Sequence, residues 1–158
     1  MIGRLARATI LTAICDGLFS STLNVFAYGS TVKRLWQGVA SMLFGANALQ
    51  QDSMVWVGLA MHVGVALAWS TLFLILYDLL PSLRRIVAAP FGVLLAAAVY
   101  GPLVWTVMSF LVIPSMTHRP PTINARWWVQ FIGHAAFVGV PIVAMIATQR
   151  DRLNANKS

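Results

Sequence analysis

Two histidines and one aspartate stand in stretches otherwise bare of charge, and any chemistry has to begin with them. His62 is the one Asp, Glu, Lys, Arg or His between Met54 and Asp78, in MVWVGLAMHVGVALAWSTLFLILYDLL. His134 sits in WWVQFIGHAAFVGVPIVAMIA, and Asp16 interrupts an apolar run near the start of the chain. Ionisable side chains at such depth in hydrocarbon are costly and mark function by default. Three chemistries suit them. A pair of imidazoles can clamp a haem between helices. His, His and Asp together can hold a divalent metal or relay a proton. In the plainest alternative each imidazole hydrogen-bonds a neighbouring helix and fixes packing.

Asp16, Ser20 and His62 have the composition of a nucleophilic triad, but no serine lies in a G-x-S-x-G elbow. The chain also lacks H-E-x-x-H, a phosphate loop, a dinucleotide fingerprint and a C-x-x-C-H haem attachment. The leading reading is therefore a non-enzymatic structural or accessory membrane protein. One alternative is a haem- or metal-binding protein using His62 and His134. Another is a small oligomeric transporter or proton-handling protein using Asp16.

The elements that must position these residues are membrane spans. Of the 158 residues 59% are hydrophobic and only 9% charged, against about 25% charged in soluble domains. So few charges cannot cover a globular surface, but they suffice where lipid does. A hydrocarbon core about 30 Å thick needs roughly 20 apolar residues in a helix. Four runs qualify, at approximately 5–28, 54–80, 86–116 and 126–148. They occupy nearly the whole chain, which makes 1–158 a single transmembrane domain: an all-α four-helix bundle.

Along the first run Thr9, Thr12, Asp16 and Ser20 fall in one narrow stripe at about 100° per residue, with Asn24 on its shoulder. Such a stripe faces protein. A basic patch precedes this run, as in a signal peptide, but the apolar stretch continues past Cys15 to Tyr28. A retained signal-anchor span is expected, and lipoprotein processing at Cys15 is the alternative.

Between the first two spans, 31–46 reads as an amphipathic helix, interfacial or re-entrant. Val32, Leu35, Trp36, Val39, Met42, Leu43 and Ala46 share one side, and Lys33, Arg34, Gln37 and Ser41 the other. In the second span Gly58, His62, Ala66, Trp69, Phe73 and Tyr77 share a side. Ala60, Gly64 and Ala68 form a small-xxx-small row opposite, suited to close helix contact and to a homo-oligomer. Gly101-Pro102 should kink the third span. His62 follows Met54 by eight residues and His134 follows Arg126 by eight. Both therefore lie about 12 Å below the same boundary on helices running the same way.

With four spans both termini and the loop after Leu80 share a side. That side carries Arg4, Arg7, Arg84, Arg85, Arg150, Arg152 and Lys157, and the other carries Lys33, Arg34, Arg119 and Arg126. The excess places the termini in the cytoplasm. The net charge of +7 is read the same way, as topology and anionic-lipid contact. Nothing resembles the basic, aromatic-interleaved groove of a nucleic-acid binder.

Several motifs resemble those of a bacterial four-pass inner-membrane family of unknown function. They are Cys15-Asp16-Gly17, QGVASMLFG over 37–45, Leu59 to His62, Val112-Ile113-Pro114-Ser115 and HAAFVGVP over 134–141. The third-span motif lacks the family's leucine between proline and serine. The family is distantly similar to YagU-like inner-membrane proteins, which share a His in a middle span and a Gly-His in the last. The resemblance covers roughly residues 10–147. It implies a bacterial inner-membrane location and a shared fold, singles out Asp16, Gln37, Ser41, His62 and His134, and supplies no reaction.

Overall fold

A computed structural model describes residues 2–147. Among these residues every regular element is helical. Four helices are long and apolar enough to cross a membrane: α1 (Ile2–Ala27), α3 (Met54–Leu79), α5 (Gly92–Thr117) and α6 (Ala125–Ile146). Two shorter helices complete the set, α2 (Val32–Phe44) and α4 (Pro81–Ala88). The chain is a multi-pass membrane protein. The polar tail after residue 148 lies outside the described residues.

α1 packs against α3 and the second half of α6, while α5 runs along α6 and meets α4. The apolar core of one end comprises Phe73, Leu74 and Tyr77 from α3, Val87 from α4, Ala96, Ala97 and Tyr100 from α5, and Ile142, Val143 and Ile146 from α6. The expected buried face of α3 is observed: Gly58, Ala66, Phe73 and Tyr77 are all buried. The opposite row is not used for packing within the chain. Ala60, Gly64 and Ala68 are exposed, and a Cβ at Gly64 would meet nothing within 4 Å.

The third apolar run differs from expectation at its start. Pro81 opens a separate helix, α4, and the spanning helix begins only at Gly92. The physical reason is Pro90. It forces Ala89 into an extended conformation (φ −66°, ψ 159°), which ends α4. Phe91 then turns through the left-handed region at φ 60°. α5 continues as α-helix through Pro102. Three single π-turns depart from α-geometry: one, Leu23–Ala27, closes α1, and the other two, Met108–Val112 and Ala135–Gly139, stand just before Pro114 and Pro141. A widened turn leaves room for a proline ring that would clash with the carbonyl four residues back.

α2 is held in place by its ends and its polar side. Thr31 caps it by accepting from the Arg34 amide at 3.1 Å. Arg34 donates to the Leu49 carbonyl at 3.1 Å, and Lys33 pairs with Asp52 at 2.6 Å. Its apolar face is seated on the bundle, with Trp36 and Ala40 buried. The seat is close because Gly58 has no side chain. A Cβ there would run into the Trp36 carbonyl.

Candidate functional site

Four spans and α2 line a partly open cavity of about 290 Å³. The stripe on α1 supplies Thr12, Asp16 and Ser20, α3 supplies His62, and α6 supplies Gln130 and His134. The rest of the wall is apolar: aliphatic side chains together with Trp36 and Met42 from α2, Met61 and Trp69 from α3, and Trp105, Met108 and Met116 from α5. The depth count places the two histidines together, and both line this one cavity.

His62 is held from two sides. Its Nε2 donates to the Ala13 carbonyl at 3.1 Å, and because a carbonyl oxygen only accepts, that nitrogen carries the hydrogen. Nδ1 then faces Asp16 Oδ2 at 3.8 Å. A bare lone pair against a bare carboxylate would repel, so this contact is favourable when the pair holds a proton, as imidazolium or as carboxylic acid. Trp36 lies against the imidazole, with ring centres 5.1 Å apart. Gly17 lies against this pair, its Cβ position 3.6 Å from His62 Nε2, an ordinary van der Waals distance.

His134 takes the opposite tautomer. Its Nδ1 donates to the Gln130 carbonyl one turn back at 2.7 Å, which leaves Nε2 as an acceptor. Trp105 lies 4.9 Å from its ring. Gly101 sets its height, because a Cβ there would strike the His134 carbonyl where α5 touches α6. Below it Phe19 of α1 stacks on Phe137 of α6 at 4.4 Å.

The structure thus brings Asp16, Ser20, His62 and His134 to one place and leaves the other polar residues elsewhere. Asn24 donates to the Thr31 carbonyl at 3.2 Å and ties the turn after α1. Gln37 is 3% exposed, but its amide donates to the Gln51 carbonyl at 3.0 Å and so anchors α2 to the following loop. Ser41 bonds within its own helix, to the Gly38 carbonyl at 2.7 Å. Thr12, Trp105 and Gln130 belong to the site and stood out less in the sequence. Gln130 was legible as the one uncharged polar residue in WWVQFIGH, four residues before His134.

These polar groups are short of partners. Among the described residues seven buried side-chain nitrogens or oxygens have no hydrogen-bond partner, and four of them belong to this cavity's wall: Thr12 Oγ1, Asp16 Oδ1, Trp105 Nε1 and Gln130 Oε1. Buried polar groups are normally satisfied, so a cluster of unsatisfied ones around a void points to something that belongs there.

A bis-imidazole haem clamp needs one free nitrogen on each ring; at His62 Nε2 is spent on the Ala13 carbonyl, and Nδ1 faces the Asp16 carboxylate at 3.8 Å. Among the described residues no three His, Cys, Asp or Glu side chains converge as a metal site would require. The class defined by fold and site is a four-span helical membrane protein with a mostly apolar cavity lined by His62 and His134. No protein-family model matches the chain, and neither a curated protein nor a solved structure matches it.

Proposed function

We propose that this protein is a non-enzymatic membrane protein that binds a small, largely apolar molecule in the cavity between Asp16, His62 and His134. One observation carries the reading: polar groups lacking partners gather around a void at the lower edge of the roughly 300–1,000 Å³ usual for small-molecule sites. A bundle that needed these side chains only for packing would pair them across the seams. The resemblance to four-pass inner-membrane proteins and the excess of Lys and Arg on one side support a bacterial inner membrane with both termini in the cytoplasm. The exposed Ala60, Gly64 and Ala68 row supports a homo-oligomer.

The test uses the full chain in phosphatidylcholine nanodiscs, with 2-phenylethanol as a neutral probe and the cavity tryptophans as reporters. Saturable quenching is expected. Val39→Trp, which fills the cavity from α2, should abolish it. Quenching that never saturates, or that survives the filled cavity, overturns the reading.

A second reading is favoured by the Asp16–His62 contact at 3.8 Å, which sets an imidazole beside a carboxylate within the span and suits proton handling. A proton flux in proteoliposomes that falls in Asp16→Asn would support it.

A further inference from the structure

The imbalance of the unpartnered groups says what kind of molecule would complete them. Asp16 Oδ1 and Gln130 Oε1 are acceptors, and His134 Nε2 is a third once Nδ1 is spent on Gln130. Thr12 Oγ1 can serve either way, and Trp105 Nε1 is the one obligate donor. The wall asks for hydrogens. Asp16 also brings the one carboxylate among the cavity residues, and a carboxylate inside hydrocarbon is stabilised by a positive partner. His62 offers only a partial answer, at 3.8 Å and beyond hydrogen-bond reach. The terminal torsions of Asp and Gln are broad, so both carboxylate and amide can turn to a donor in the cavity.

The surrounding surface suits the same molecule. Trp36, Trp69 and Trp105 line the cavity from three different helices. Indole faces attract cations, with a benefit that grows when both are desolvated. Four methionines, Met42, Met61, Met108 and Met116, give a soft wall that adapts to an apolar body.

Resting on the ligand-binding reading above, we propose that the ligand is a lipophilic amine, bound as the ammonium. Its N–H groups bond Asp16 and Gln130, and its apolar body lies among the tryptophans and methionines. The titratable groups facing Asp16 across the cavity are His62 from α3 and His134 from α6, and none comes from α2 or α5.

The experiment compares phenethylamine with 2-phenylethanol, which has the same shape and no charge, on the full chain in nanodiscs, with empty nanodiscs subtracted. Wild type is expected to prefer the amine by about tenfold or more, the value of a hydrogen bond to a charged group. Asp16→Asn should remove the preference, because the carboxylate that pairs with the ammonium is gone. Equal affinity in wild type, or a preference that persists in Asp16→Asn, overturns the amine while the cavity reading stands. Binding of neither probe overturns both. Should Asp16→Asn fail to fold, the wild-type comparison decides the matter alone: equal affinity for amine and alcohol overturns the proposal.

Discussion

The two ends of this bundle are built from the same four helices and solve opposite problems. At the end near Leu80, Phe73, Ile142, Val143 and Ile146 are at most 1% exposed. The Tyr100 hydroxyl donates to the Trp69 carbonyl at 2.7 Å, and Phe73 meets the Tyr100 ring edge-on at 4.8 Å. This end is filled. At the level of His62 and His134 the same helices stand around a void and leave polar atoms without partners. Chains of this size can plainly pack tightly, as the first end does. The open end carries three indoles and four thioethers among its aliphatic side chains, where the filled end interlocks Phe73, Tyr77 and Tyr100 with small and branched residues.

That contrast can be broken by substitution, and the largest effect is expected where backbone meets backbone. Gly101→Val drives a side chain into the His134 carbonyl, and a clash that neither helix can avoid costs about 3 kcal/mol or more. Denaturant titration in mixed micelles should show it, together with loss of 2-phenylethanol quenching because His134 moves. A small loss of stability with binding intact would show that this contact does not set the cavity.

Next in size is a pair that compares the ends directly. Phe73→Ala opens a hole in the filled end and should cost about 2–3 kcal/mol, chiefly the cavity contribution, because lipid is as apolar as the core it leaves. Met61→Ala merely enlarges a space already present and should cost about 1 kcal/mol or less, with few contacts to lose. Equal costs would mean that the histidine end is as well packed as the other. The smallest effect is expected on the polar side of α2. Lys33 and Asp52 are 54% and 83% exposed, and such pairs contribute about 1 kcal/mol at most. Lys33→Ala should leave both stability and binding nearly unchanged.

Much of this was legible in the sequence, for physical reasons. Lipid imposes a length and an absence of charge, so the four spans announced themselves. The heptad-like spacing from Val32 to Met42 announced α2 in the same way. The common depth of His62 and His134 followed from counting residues at a fixed rise per residue. The separate helix α4 was hidden because Ile86, Val87 and Ala88 read as one apolar run with the first residues of α5, although Ala89-Pro90 carried the signal that breaks it. The seating of α2 on Gly58 was not legible, since a glycine in an apolar run does not say which backbone approaches it. Nor were the missing partners of Trp105 and Gln130, because satisfaction of a polar atom depends on neighbours far away in the chain.

The most direct test reads the histidines themselves. Solid-state ¹⁵N NMR of the full chain in lipid, labelled at histidine, reports which ring nitrogen carries hydrogen at His62, His118 and His134. Hydrogen is expected on Nε2 of His62 and, at His134, on Nδ1 with Nε2 bare. Addition of 2-phenylethanol should move both resonances together while His118, in the loop after α5, stays where it was. Hydrogen on Nε2 of His134, or a probe that shifts His118 and leaves the buried pair untouched, would contradict the binding site drawn between Asp16, His62 and His134.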